Sequence, residues 1–360
     1  MPQKTQLSRR ENSVVPEPAV TIIVVPRERF SYSRTSLESI FAYTDQPFRM
    51  IYVDGGSPKH VKNYLEMQAK AQDFKLIRTE HYLSPNQARN IGLREADTKY
   101  VVFVDNDVIV ASGWLPALLQ CAEETNASLV GPLYCIGQPA HQVIHMAGGD
   151  AAIREEQGRR RLYEKHRLCD QLVADVRPQL RREPCELIEF HCMFARRDVL
   201  LQIGLLDEGM ISTREHVDVC LAVREMGGTV WFEPSAVVTN VPAQTFAWSD
   251  LPYYLLRWSD AWGQATLQHF ERKRNLDASA VEVTNFWLRP HRQLALLPVR
   301  NRLRRYLGAK VGDRLVDSLE SFLARKALTK GLGPRTEQPS GLQQRVQVRP
   351  EFPQGIGRGH

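Results

Sequence analysis

No apolar run in the 360 residues approaches the ~20 needed to cross a bilayer. The polar opening "MPQKTQLSRR" lacks the apolar centre of a secretion signal, so the expected location is the cytoplasm. The six cysteines, Cys121, Cys135, Cys169, Cys185, Cys192 and Cys220, form no C-x-x-C pair and no regular spacing. That excludes a zinc knuckle or a disulfide framework and predicts reduced, mostly buried thiols. There is no internal repeat. Residues 1–18 and 331–360 lack periodicity and are expected to be flexible. What is present is ample: 43% hydrophobic content in a chain of 360 residues supports a sizeable core. A net charge of +6 fits an anionic partner without choosing among a nucleotide, a nucleic acid and a membrane surface.

Order is expected to begin at "AVTIIVVP", a continuous β-branched run suited to a strand buried on both faces. Then follow a helix in "SRTSLESIFAYT", a strand "RMIYVDGG", a helix around "KHVKNYLEMQAKA", a strand "FKLIRT", a helix "SPNQARNIGLREA" and the strand "KYVVFVDNDVIV". Strands and helices alternating at this length predict right-handed βαβ units and a mostly parallel sheet. After "GWLPALLQCAEET" and "SLVGPLYC" the pattern loosens through residues 137–184, which read as a loop region over a site. Regularity returns with "CELIEFHCMFARRDVLLQIG", "TREHVDVCL" and the strand "GTVWFEP", followed by an aromatic stretch and basic helices up to about residue 330.

Ligands of an open parallel sheet bind beyond the carboxyl ends of its strands. Two strands deliver acids there: Asp54 in "IYVDGG", and Asp105 with Asp107 in "VVFVDNDV". Asp54 before two glycines reads first as a turn. Asp105 and Asp107, two residues apart, share one face of an extended chain, and their mutual repulsion is relieved either by a divalent cation or by a solvated loop. Spacing alone leaves both readings open.

The succession of "TIIVVPRERF", "YVDGGS", "SPNQARNIGLREA", "YVVFVDNDV", "GWLPALL" and "ARRDVLLQIGLLDEG" with "REHVDVCLAVREMGG" resembles the GT-A glycosyltransferases of family 2 over residues 20 to about 245. The resemblance implies a three-layer α/β/α sandwich that binds a nucleotide-sugar. It implies donor contacts from Pro26, Arg27 and Glu28 in the first loop, from Asp54 with Gly55, from Arg89 and Asn90 near the diphosphate, and from Asp105 and Asn106. Gly92 would shape that helix. Asp105 and Asp107, around Asn106, would be the D-x-D site for Mg²⁺ or Mn²⁺, which neutralises the leaving diphosphate as a Lewis acid.

An inverting transfer also needs a base for the acceptor hydroxyl proton. The family commonly has Glu-Asp at the position where this chain has Glu215 and His216, so the base position carries a histidine. Three readings stay open: His216 as base, Asp218 as base with His216 behind it or on the metal, and a chain without transfer activity. Ser212 followed by Glu215 is also a capping-box pattern, which would make Glu215 a helix cap. The family's usual histidine after the next strand is missing from "SAVVTNVP", where Asn240 or His216 would replace it or metal binding is weaker. His191 reads as a satisfied core group.

The domains expected are 19–245 for the transferase fold and 246–330 for a helical extension. Its basic helices read first as the solvated face of helices packed on their own domain, with a peripheral contact at the inner membrane face, toward a lipid-linked acceptor, as the alternative. The acceptor is a saccharide or a lipid-linked group. Nucleic acid is disfavoured because the basic run has little aromatic interleaving. A nucleotidyltransferase is the rival enzyme class, but "PRERFSYS" lacks the glycine of a phosphate loop. A non-catalytic sugar-nucleotide-binding protein is the second rival.

Overall fold

The computed structural model describes residues 17–242 and 246–329. The flexible segments expected at 1–18 and 331–360 lie outside the described residues, apart from 17 and 18, and the boundary expected at 245 falls in the undescribed 243–245.

The chain runs β1 Val20–Val25, α1 Ser33–Ala42, β2 Arg49–Gly55, α2 Lys59–Ala71, β3 Lys75–Thr79, α3 Pro85–Glu95 and β4 Tyr100–Asp105. It continues with β5 Val108–Val110, α4 Trp114–Thr125, β6 Leu129–Ile136, β7 Val143–Met146, β8 Gly149–Glu156, β9 Arg159–His166, α5 Val173–Val176, β10 Glu183–Cys185 and β11 Cys192–Arg196. The rest is α6 Arg197–Gln202, α7 Glu215–Glu225, β12 Val230–Asn240, then helices α8 Leu251–Arg257, α9 Asp260–Arg274, α10 Ala280–Val283, α11 Arg289–Gln293, α12 Leu297–Leu307 and α13 Ala309–Thr329.

The main sheet has the order β10-β12-β6-β11-β4-β1-β2-β3. Strands β3, β2, β1 and β4 are parallel, as are β6 and β12, while β11 lies antiparallel between β4 and β6. The β1 and β4 runs are buried along their whole length, as unbroken Val and Ile runs require in a sheet covered on both faces. Helix α3 packs on β1 and β2, and α4 on β6 and β12. Ser84 precedes α3 and its N–H donates to Gln87 Oε1 at 3.0 Å, with Pro85 in the first turn to fix the start.

Gly92 lets α3 lie close to β1: a Cβ there would stand 2.4 Å from Ile23 Cγ2. Ile23 is fully buried and has no room to yield. Gly92→Ala is therefore expected to cost about 1–3 kcal/mol, the range for overpacking, seen as a lower Tm.

Residues 137–184, read from sequence as a loop, contain β7 and the antiparallel β8–β9 hairpin. The hairpin escapes sequence reading because β9, "RRRLYEKH", has almost no apolar alternation; its first three residues, arginines all, are exposed. Strand β12 also runs past "GTVWFEP" to Asn240, across an irregularity between Glu233 and Val237. The C-terminal helices form a second apolar cluster around Leu251, Tyr254, Trp258, Leu288, Leu296 and Val316, while Tyr253, Leu256 and Phe270 join the main core. No described helix is long and apolar enough to cross a membrane.

Candidate active site

The first loop leaves β1 at the point where β2 and β4 diverge on either side of it, and a cavity of about 710 Å³ opens beside it. Its walls come from one edge of the sheet: Arg27 and Glu28 after β1, Ile136 after β6, Asn240 at the end of β12, and Glu189 and His191 before β11. His145 of β7, Glu164 and His166 of β9, and Glu215 with His216 of α7 add a polar wall. Trp258, Phe286, Trp287 and His291 from the C-terminal helices add an aromatic one.

Asn106 is buried and ties the first loop down: its Oδ1 accepts from Arg27 N–H at 3.0 Å, and its Nδ2 donates to Arg29 O at 2.8 Å and to Ser33 Oγ at 3.0 Å. It lines no part of the cavity, so the donor contact implied for it gives way to a loop-holding role. Asp105 is fully buried among cations. Its Oδ1 accepts from Arg89 Nη2 at 3.0 Å, and its Oδ2 lies 3.2 Å from His191 Nδ1 and 3.5 Å from Arg27 Nε. Burial alone would raise the Asp105 pKa, but Arg89, His191 and Arg27 outweigh it and hold it below the usual range.

Asp107 is different. It is 3% exposed, and its Oδ1 has no hydrogen-bond partner. Burial pushes its pKa up to about 7 against the pull of Arg29, with Glu28 and Asp105 adding to the rise. Asn240, paired in register with Val108 on the neighbouring strand, also has a buried Oδ1 without a partner. Asp107 lines no part of the cavity but lies just before β5 and beside Asn240. Two neighbouring buried oxygens without hydrogen-bond partners suit a hard divalent cation, whereas the Asp105 carboxylate, whose Oδ2 also lacks a hydrogen-bond partner, is already surrounded by protein cations.

Several other residues singled out in the sequence sit away from the cavity. Asp54 closes its own turn, accepting from Ser57 N–H at 3.0 Å and Ser57 Oγ–H at 2.8 Å, and pairs with Arg78. Gly55 packs against Leu83, where a Cβ would stand 3.2 Å away, and Pro26 O receives the Tyr253 hydroxyl at 3.5 Å. Arg89 is 0% exposed over the Phe190 ring, so it holds Asp105 and does not reach toward a diphosphate. Asn90 pins the segment before α7, donating to Leu206 O at 2.8 Å and accepting from Leu206 N–H at 3.0 Å. Arg27 is the cation of this group that faces the cavity, with Glu28 beside it.

Of the three residues weighed at the start of α7, one offers a free face to the cavity. Glu215 lines it but is held by Arg257 Nη2 at 3.1 Å, which with Arg27 outweighs burial and keeps its pKa low. It does not cap: Arg214 precedes the helix with φ of 67°, and Ser212 Oγ–H donates to Arg257 O at 2.7 Å. Asp218 turns to the other side of α7, where it accepts from Lys273 at 2.7 Å and from Arg274 Nη2 at 2.6 Å. It lines no part of the cavity. His216 faces the cavity, with Nε2 3.3 Å from Glu164 Oε1.

His191, read from sequence as a satisfied core group, stands between two carboxylates, Asp105 Oδ2 at 3.2 Å and Glu189 Oε2 at 3.1 Å. Burial lowers its pKa, but these two partners outweigh that and push it up to about 10, which keeps the ring cationic at neutral pH. His145, Glu164, His166 and Glu189 were not singled out in the sequence. A signal existed, since Glu164 and His166, like Glu189 and His191, are two apart and so share a face of an extended chain.

Residues 21–174 match the family model described as glycosyl transferase family 2. Over 221 residues, 61% of this chain, the sequence is 26% identical to a Mycobacterium tuberculosis protein described as a pre-mycofactocin glycosyltransferase. The stretch covers 42% of that relative, so the chain spans less than half the length of this curated relative. A teichoic acid poly(glycerol phosphate) polymerase of Staphylococcus epidermidis is 31% identical over 129 residues, 35% of this chain and 18% of its own length. Among solved structures, one described as GalNAc-T7 with UDP, GalNAc and Mn²⁺ aligns with a TM-score of 0.50 at 17% identity, covering 79% of this chain and 55% of that one. At that identity the likeness speaks to the fold alone. The family match covers residues 21–174, less than half of the chain, and marks that segment, with the α/β sheet that it builds, as similar to the family 2 glycosyltransferases.

Proposed function

We propose that the protein transfers a sugar from a nucleoside-diphosphate-sugar to an acceptor hydroxyl with inversion at the anomeric carbon. The observation that carries this reading is the cavity at the switch point of the sheet, lined by the Arg27 cation, His216 and Asn240, with the buried Asp107 beside Asn240, where its backbone O accepts from Val241 N–H at 3.4 Å. Mn²⁺ or Mg²⁺ held by Asp107, with Asn240 and the Asp105 segment beside it, would supply the charge that neutralises the departing diphosphate. Arg27 adds a fixed positive charge on the same side, anchored between Asp105 and Glu215. Trp287, exposed and edge to face at 5.6 Å with the buried Trp258, gives the apolar surface on which a nucleoside base or a sugar ring stacks.

His216 is the proposed base. Glu164 engages Nε2, so a proton there fixes the tautomer and leaves the ring's other nitrogen free to accept the acceptor's proton. Asp218 is committed to Arg274 and Lys273, and Glu215 to Arg257. On the acceptor side, exposed Leu307, Val311 and Leu315 beside the basic α12 favour a lipid-linked acceptor met at a membrane surface over a free saccharide.

The test is to incubate the protein and Mn²⁺ with a panel of nucleotide-sugars and simple acceptors, and to follow nucleoside diphosphate release and the anomeric configuration of the product by NMR. Acceptor-dependent release with an inverted product is expected. Nucleotide-sugar binding without release would favour a non-catalytic binding protein, and a retained configuration would remove the need for a base.

A further inference from the structure

We propose that His145, His166 and Glu189 form a second cation site, for a divalent transition metal of the zinc class, with Glu164 and His216 at its edge. It is separate from the oxygen-donor position at Asp107 and stands whether or not the sugar-transfer reading holds.

Three imidazole nitrogens and two carboxylate oxygens converge in the cavity wall. His145 Nε2 lies 3.3 Å from Glu189 Oε1, and His166 Nε2 lies 3.6 Å from the same oxygen. His166 Nε2 is 3.5 Å from Glu164 Oε1, and His216 Nε2 is 3.3 Å from it and 4.0 Å from Glu189 Oε1. Within each set of three, His145 with His166 and Glu189, or Glu164 with His166 and His216, the donor atoms all lie within 4.8 Å of one another. These separations are longer than the ~2.9 Å of an ordinary N–H···O hydrogen bond. They match the edge of a tetrahedron around an ion bound at ~2.0–2.1 Å, about 3.3–3.4 Å.

The surroundings also have the form of a built site. Glu189 is 8% exposed, and its other oxygen, Oε2, is fixed by His191 Nε2 at 3.1 Å, which leaves Oε1 for the ion. The His145 and His166 rings meet edge to face at 5.0 Å, which sets both Nε2 atoms on the same space. Arg214 holds the far oxygen of Glu164. A donor set of imidazoles and one or two carboxylates selects Zn²⁺, Co²⁺ or Ni²⁺ over Mg²⁺ or Ca²⁺. The ligands come from β7, β9 and the segment before β11, so the ion would staple the β8–β9 hairpin against the sheet and hold the wall that carries Glu164.

The test measures metal, not transfer. Apo-protein prepared with a chelator is titrated with Co²⁺ and Zn²⁺ and then dialysed for elemental analysis, for wild type, Asp107→Asn, His166→Ala and His145→Gln. Wild type and Asp107→Asn are expected to retain a tightly held equivalent and to give the visible bands of four-coordinate cobalt. His166→Ala should weaken this binding by about 10²-fold or more. His145→Gln, a milder change at a side chain 24% exposed, should weaken it too and covers the case in which His166→Ala does not fold. Bound Zn²⁺ should also slow proteolysis of the hairpin in wild type. Wild-type protein that holds neither metal tightly, or binding unchanged in both histidine variants, would show a hydrogen-bonded histidine–carboxylate network and overturn the site.

Discussion

His216→Ala is expected to lower kcat for sugar transfer by about 10²–10⁴-fold, the range for loss of a general base, with nucleotide-sugar affinity nearly unchanged. His216 faces the cavity and is positioned by Glu164, whereas the neighbouring acids already serve as counter-ions. The contrast is Asp218→Asn. Asp218 is 5% exposed, and uncoupling it takes the nearest carboxylate from the buried Arg274, which keeps only the exposed Glu225, while Lys273 keeps Asp207. That should destabilise the fold by about 1–3 kcal/mol, the range for hydrogen bonds to charged groups, while the folded fraction keeps its turnover. Steady-state kinetics and thermal melts of both variants separate the two roles: a fully active His216→Ala beside a stable, dead Asp218→Asn would reverse them.

The second large effect is at Asp107. Asp107→Asn should abolish the metal-dependent part of nucleotide binding, a loss of about 10²-fold or more if the cation bridges protein and diphosphate. The same change should stabilise the metal-free protein at pH above about 7, because an amide never takes on the charge that burial disfavours at this position. The sign follows from the pKa. A carboxylic acid raised to about 7 in the fold binds its proton more tightly there than in the unfolded chain, so stability falls as pH rises from about 4 through 7. Melts of metal-free protein should therefore show the Asp107→Asn advantage at pH 8 and none near pH 4. With saturating Mn²⁺ the wild type should recover and the variant should not.

The parallel half of the sheet was legible because β1 and β4 are unbroken β-branched runs, which only a doubly covered strand can bury. The acids at the ends of the strands were legible for the same reason: charge directly after such a run sits at the sheet edge. Their individual roles were not. Asp105 and Asp107 look equivalent in sequence, yet Arg89 and His191, distant along the chain, neutralise one and leave the other unpaired. Likewise the acid and histidine at the start of α7 differ only in what faces them, Arg257 for Glu215 and Glu164 for His216. The capping-box pattern at Ser212 failed because Arg257 O and Thr266 Oγ1 take that residue into the core. The histidine–carboxylate wall was hidden because β9 has a polar pattern on both faces, and its partners lie on β7, before β11 and on α7.

The most direct measurement is a calorimetric titration of the wild-type protein and Asp107→Asn with nucleoside diphosphates, with and without Mn²⁺. A sugar-nucleotide site built on Asp107 predicts binding to wild type that Mn²⁺ tightens at least tenfold, and no such tightening in the variant. Equal affinity with and without Mn²⁺ in both proteins, or no binding of any nucleoside diphosphate, would contradict it.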